Sequence, residues 1–355
     1  MKKIVLTGGG TAGHVTPNLA LLPSLQEAGF LITYMGSYDG IEKRLVEDFG
    51  IPYVGIATGK FRRYLDVKNL TDPFRVLKGY AEARKFLKEY CPDVVFSKGG
   101  FVSVPVVRAA ASLKIPCIIH ESDMTPGLAN KLCFPVAKNI CCNFPETYEM
   151  LPAEKAVLTG TPIRAELAQG NKLAGLEMCG FTANKPVIMV IGGSLGAMNV
   201  NKAVRDALPQ LLEKYQVVHL CGKDKLDNLL LSTPGYKQFE YLKAELKDIF
   251  AMADIVISRA GANAICELLA LRKPNILIPL PASSSRGDQI FNAESFGDQG
   301  FSIVLHEDDM TTALLVEKVN ELYENRQKYF DAMDKSGQLD SIPTIMDLIK
   351  KAAGV

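Results

Sequence analysis

Two glycine-rich segments, each directly behind a short apolar run, constrain this chain more than any other feature. Lys3-Ile4-Val5-Leu6 runs into Thr7-Gly8-Gly9-Gly10-Thr11-Ala12-Gly13-His14, and Val187-Ile188-Met189-Val190 runs into Ile191-Gly192-Gly193-Ser194-Leu195-Gly196-Ala197. A strand that turns through glycines into a helix aims backbone N–H groups and the positive helix end at one spot, which suits an anion. One such unit predicts a nucleotide-binding domain. Two, about half a chain apart, predict twin α/β domains with parallel sheets facing each other across a cleft.

The rest of the chain repeats the pattern, with short apolar runs alternating with longer amphipathic segments. Strands are expected at 3–7, 31–35, 52–56, 93–97, 115–119 and 139–142, then at 187–191, 216–220, 238–241, 254–258, 275–279 and 302–305. Thr16 suits a helix cap and Pro17 a first helical position. A further helix is expected around 262–271, between Gly261 and Pro274. The domain boundary is expected in the Gly/Pro turn near Thr159-Gly160-Thr161-Pro162-Ile163-Arg164. That gives a first domain over 1–163, a second over 164–340, and a terminal helix over 341–355 able to pack back on the first.

A chain of 355 residues can bury two cores, and its net charge of +1 argues against a general nucleic-acid binder. Charge is concentrated at 60–88, where nine basic residues face three acidic ones and Phe61, Tyr64, Leu65, Phe74, Val76, Leu77 and Tyr80 are interleaved. By itself this reads as a pair of solvated helices with basic outer faces. The eight cysteines show no metal or disulfide spacing and fit a reduced compartment. The amino terminus is too short in apolar residues for a signal peptide, and no run approaches a membrane span. Any membrane contact is expected to be peripheral. No cofactor and no metal site is expected.

The motifs exclude two familiar chemistries. Gly8, Gly10 and Gly13 match a dinucleotide fingerprint, but the second strand closes on Gly36-Ser37 where an acid should hold the ribose. Gly192 to Gly196 matches a hydrolase elbow around Ser194, yet neither His219 nor His306 sits in a triad-like context. His14, at the end of a glycine loop on a sheet's carboxyl edge, is the candidate base. Lys98-Gly99-Gly100 forms a third glycine junction, and His120-Glu121-Ser122-Asp123 and Asn130 follow the next strand; Glu121 and Asp123 also read as solvated loop acids. Arg259-Ala260-Gly261-Ala262-Asn263-Ala264 opens a helix on small residues suited to phosphate, and Glu267 one turn on suits ribose hydroxyls. Asp288 and Gln289 stand at a helix start, where they suit sugar hydroxyls.

In this order the segments 8–17, 98–105, 120–130, 159–164, 192–197, 259–267 and 288–293 resemble the MurG family of bacterial glycosyltransferases, within glycosyltransferase family 28. The resemblance runs over nearly the whole chain. It implies a GT-B fold of two Rossmann-like domains and inverting transfer of GlcNAc from UDP-GlcNAc to undecaprenyl-linked lipid I, giving lipid II. Carried over by position, Ser194 and the amides of Ala262, Asn263 and Ala264 meet the diphosphate, and Arg164 lies near the nucleotide. Glu267 takes the ribose, and Asp288 and Gln289 take the GlcNAc hydroxyls. Gly10, Thr11, Ala12 and Gly13 cradle the acceptor diphosphate, or the donor once the cleft closes. His14 and Glu121 are the catalytic candidates, with Asp123 and Asn130 on the acceptor side.

The family reading also turns 60–88 into a dock for the anionic cytoplasmic leaflet, placing the protein peripherally on the cytoplasmic face of the membrane, with cell-wall assembly proteins as further partners. Many members carry Gln, Gln and Asn where Leu195, Asp288 and Asp123 stand, so the departures touch sugar contacts and not the reaction class. Two rivals stay open: a UDP-sugar transferase with another lipid or glycoside acceptor, and a non-catalytic sugar-nucleotide sensor.

Overall fold

The computed structural model describes residues 1–59, 68–193, 196–283, 287–336 and 340–355, with side chains from residue 74 onward in the helix Lys68–Tyr90. The expectations at Ser194 and Leu195, and those at 60–67, lie outside the described residues. The chain divides into two compact units, Met1–Ile163 with Asp340–Val355, and Arg164–Leu339.

In the first unit the described strands are β1 (Lys3–Thr7), β2 (Leu31–Ser37), β3 (Tyr53–Ile56), β4 (Val94–Ser97), β5 (Cys117–Glu121), β6 (Asn139–Cys142) and β7 (Ala156–Leu158). They form one parallel sheet in the order β3-β2-β1-β4-β5-β6-β7. Alternation along each strand explains its two cores. Ile4, Leu6, Ile32, Tyr34, Val94 and Phe96 pack on one face. Val5, Met35, Val95, Ile119 and Ile140 pack on the other. The terminal helix Ser341–Ala353 belongs to the first of these layers: Ile345 and Ile349 are fully buried in it, and Asp340 caps its start through Ile342 N–H.

In the second unit β8 (Val187–Ile191), β9 (Gln216–Leu220), β10 (Tyr236–Phe239), β11 (Ile255–Ser258), β12 (Asn275–Leu277) and β13 (Ser302–Val304) form a parallel sheet in the order β10-β9-β8-β11-β12-β13. Each unit therefore has the Rossmann-like order, reversing beside its first strand.

Local expectations need correction in three places. Thr16 does not cap: it lies inside the helix Thr16–Ala20, with Val15 at the cap position, and its hydroxyl donates to the Ala12 carbonyl. Among the described residues of 60–88 there is one helix, Lys68–Tyr90, where a pair was expected. β5 runs two residues beyond its expected end, because His120 and Glu121 are buried polar residues and not loop. Among the described residues no helix is long and apolar enough to cross a membrane.

Candidate active site

The first unit's sheet reverses direction of connection between β1 and β4, so the loops after these strands flank its switch point, where open α/β sheets bind ligands. The loop after β1 ends in a short turn, Ala12–His14, with His14 Nδ1 3.0 Å from Thr11 Oγ1. The two loops meet only because residue 100 is glycine at φ +82°. A Cβ there would lie 2.3 Å from the Gly9 carbonyl oxygen and 3.2 Å from His14 Nδ1. Burial, followed by the charge of Lys98, pushes the His14 imidazole down to about 4, against the Gly9 carbonyl and Glu42. At neutral pH the ring is uncharged and able to accept a proton.

Lys98, just past β4, is only 1% exposed. Its ammonium reaches His120 Nδ1 and Ser122 Oγ, both at 2.7 Å, and Thr161 Oγ1 at 2.9 Å. Burial and Lys98 push His120 well below its ordinary range. A neutral His120 that accepts at Nδ1 carries its proton on Nε2, which donates to the Gly160 carbonyl at 2.8 Å. One buried network thus ties the ends of β4 and β5 to the segment after β7.

Glu121, expected as a catalytic candidate, is held by the chain's own donors. Its buried carboxylate accepts from the N–H groups of Ser122, Asp123 and Gly127 at 2.9, 3.1 and 3.0 Å and from Asn130 Nδ2 at 2.9 Å. Both oxygens are held from within, so it organises the turn that carries Asp123, which is partly exposed. Asn130 also donates to the His120 carbonyl at 3.1 Å, and its Oδ1 is buried with no hydrogen-bond partner among the described residues. Gly10 needs correction as well: its N–H, expected to meet a diphosphate, donates to Glu42 Oε2 at 3.2 Å. Thr11 and Ala12 lie exposed on the rim of the loop, with Gly13 beside them.

The second unit has its own carboxyl edge. Its switch point lies between β8 and β11. A Cβ on Gly193, after β8, or on Gly261, after β11, would meet no described atom within 4 Å. Gly261 stands at the cap position of the helix Ala262–Ala270, which has no side-chain cap, and Ala262, Asn263 and Ala264 form its first turn. Glu267, on the same helix, faces Arg164 at 3.6 Å. Burial raises the Glu267 carboxyl and Arg164 pulls it back. Arg164 Nε is buried with no hydrogen-bond partner among the described residues. Gln289 Oε1 accepts from Leu280 N–H at 3.1 Å, pinning the helix Asp288–Asp298, which begins at Asp288, to the loop after β12. Arg259 is ion-paired with Glu307 and donates to the Ile278 and Pro279 carbonyls at 3.1 and 3.2 Å, which fixes the start of the loop after β11.

His219, the nominal triad partner, lies between Tyr236 hydroxyl and Asn201 Oδ1 at 2.9 and 3.0 Å, and burial pushes it to about 3. It is a core imidazole. Sequence reasoning gave no role to Glu42 or Lys98. The signals were present: glycines at 36 and 40 shortly before an acid at 42, and a lysine directly after an apolar strand.

Residues 4–142 match the N-terminal domain of glycosyltransferase family 28, and residues 187–349 match its C-terminal domain. Two curated relatives bear the name UDP-N-acetylglucosamine--N-acetylmuramyl-(pentapeptide) pyrophosphoryl-undecaprenol N-acetylglucosamine transferase. The one from Lachnospira eligens is 65% identical and the one from Lachnoclostridium phytofermentans 63%, each over 99% of both chains. The crystal structure of Acinetobacter baumannii MurG is similar with a TM-score of 0.79 at 29% identity, over 99% of this chain and 100% of that one. With both family domains matched in order, over strands that build two Rossmann-like units, the chain belongs to glycosyltransferase family 28 and has its GT-B class of fold.

Proposed function

We propose that this protein is an inverting N-acetylglucosaminyltransferase that moves GlcNAc from UDP-GlcNAc to the muramoyl 4-hydroxyl of undecaprenyl-diphosphate-MurNAc-pentapeptide, converting lipid I to lipid II. The supporting observation is the contrast between the two glycine loops. The first carries a neutral imidazole; the second lies in the unit whose helix Ala262–Ala270 starts without a side-chain cap and pairs Glu267 with Arg164.

In this reading the second unit takes the donor. The first turn at Ala262, Asn263 and Ala264 meets the diphosphate and stabilises the charge that grows on departing UDP. Ser194, outside the described residues, is assigned to the same diphosphate. Glu267 accepts from the ribose hydroxyls, and Arg164 supplies charge beside them. Gln289, whose oxygen is committed to Leu280, offers its NH2 group to the sugar together with Asp288.

The first unit takes the acceptor, with Asn130 Oδ1, Asp123 and the rim at Thr11–Gly13 as its contacts. His14 removes the 4-hydroxyl proton as that oxygen bonds to the anomeric carbon. The bond from that carbon to the UDP oxygen breaks with inversion. The helix Lys68–Tyr90 docks the protein peripherally on an anionic leaflet through exposed Phe74 and Leu77, flanked by exposed Arg75 and Lys78.

The test is transfer of radiolabelled GlcNAc from UDP-GlcNAc to a lipid I analogue. His14→Ala is expected to lower kcat by about 10²-fold or more. Glu267→Ala is expected to raise the donor KM by roughly tenfold or more, the loss of a charged hydrogen-bond acceptor, with a smaller effect on kcat. Wild-type kcat in His14→Ala and wild-type donor KM in Glu267→Ala would refute the assignment.

A further inference from the structure

Glu42 is fully buried on the short helix Ile41–Glu47, yet among the described residues its carboxylate forms no ion pair. It accepts from Gly10 N–H at 3.2 Å, from Ser37 N–H at 3.0 Å and from the Ser37 hydroxyl. Three glycines leave room for it: Gly9 on the loop after β1, Gly36 in β2 and Gly40 at the cap of its own helix. A Cβ on Gly9 would lie 2.6 Å from its Cδ, on Gly36 2.8 Å from its Cγ, and on Gly40 2.2 Å from its Oε1. No larger residue at these positions is compatible with the carboxylate where it stands.

The rest of the loop is anchored from other directions. The Tyr34 hydroxyl donates to the Gly8 carbonyl at 2.8 Å, and Asn18 Nδ2 donates to the Thr7 carbonyl at 3.0 Å. Glu42 is what holds Gly10, four residues before His14. In a dinucleotide-binding unit an acid at the end of the second strand faces outward to the ribose beside the glycine loop. Here β2 ends at Ser37 without that acid, and the carboxylate arrives from the next helix, turned inward on the loop. A negative group in that place also opposes a phosphate.

We propose that Glu42 is a positioning residue: its carboxylate fills the ribose place of the first Rossmann-like unit, closes that unit to nucleotides, and holds the glycine loop in the shape that seats His14. The second half rests on the assignment of His14 as the base. Nucleotide is thereby confined to the second unit, and the first loop serves chemistry instead of cofactor binding.

The experiment compares Glu42→Gln, Glu42→Ala, His14→Ala and the double variant Glu42→Ala/His14→Ala in GlcNAc transfer. Glu42→Ala is expected to lower kcat by about 10²-fold, the scale of a misplaced catalytic group, and Glu42→Gln by less. The KM for UDP-GlcNAc is expected to stay within about twofold, since the donor belongs to the other unit. The double variant should be no slower than His14→Ala alone, because groups acting through one another are not additive. Added formate should restore part of the Glu42→Ala rate where chloride does not, a recovery that an unfolded variant cannot show.

A multiplicative loss in the double variant overturns the positioning role, as does near-wild-type kcat in Glu42→Ala beside a crippled His14→Ala. If His14→Ala keeps wild-type kcat, the base assignment fails, whatever Glu42→Ala does. Two UDP per chain by calorimetry on the unmodified protein would overturn the closure of the first unit; one is expected.

Discussion

A buried ammonium beside a proposed base sets that base's working range. Lys98 and burial together hold His14 near 4, with Glu42 opposing. The ring must be neutral to accept a proton, so activity that depends on it is lost as pH falls through its pKa. Removing the Lys98 charge takes away one cause of the depression. Lys98→Met is therefore expected to move the acid limb of the kcat/KM profile upward, from about 4 toward the ordinary histidine value of 6.5. An acid limb that stays where it was, or moves down, would show that Lys98 does not act on the base. The same change deprives His120 Nδ1, Ser122 and Thr161 of their common donor. The hydroxyls can rotate to new partners but the imidazole nitrogen cannot, so urea unfolding should show a loss of about 1–3 kcal/mol.

The helix Lys68–Tyr90 carries its message in spacing. Phe74 and Leu77 lie three residues apart and are 74% and 65% exposed, and exposed Arg75 and Lys78 repeat the same interval. Gly79 lets the opposite side approach closely, since a Cβ there would lie 1.9 Å from the Ala57 carbonyl oxygen. Phe74→Ser with Leu77→Ser touches no packed side, so the fold should persist while sedimentation with anionic vesicles falls at least about tenfold. Undiminished sedimentation would remove these residues from the docking face.

Elements of this kind were legible because buried parallel strands read as unbroken apolar runs, and glycine junctions mark where they end. β10, found at Tyr236–Phe239 and expected at 238–241, was misplaced because Gln238 is buried and Tyr236 packs in the core. The place of His14 at the end of a glycine loop was legible in the sequence. Glu42 and Lys98 were not, because their meaning depends on partners 32 and 63 residues away that only the strand order brings together. The structural part of Glu121 was hidden for a related reason: its donors at Gly127 and Asn130 become visible only when the turn after β5 is folded.

At the scale of the whole molecule, chain order and core membership disagree, and that disagreement can be measured. The helix Ser341–Ala353 follows the second unit in sequence but packs in the first, burying Ile345, Met346, Ile349 and Ala353 against the layer of Ile4, Leu6, Leu25 and Phe96. Fully burying an isoleucine contributes about 1.5–3 kcal/mol, so losing this helix costs on the order of 5–10 kcal/mol, comparable to the entire stability of a domain. A chain ending at residue 339 should therefore unfold its first unit, although that unit's first 163 residues are intact. The second unit keeps its own core of Ile188, Val190, Val217 and Ile257. Thermal unfolding of the shortened chain should retain one transition. UDP should raise that transition by mass action if the donor binds in the second unit, while GlcNAc transfer is abolished because the His14 loop is lost with the first sheet. If the shortened chain retains transfer, the terminal helix is dispensable to the first core. If the surviving transition ignores UDP, the donor does not bind the second unit.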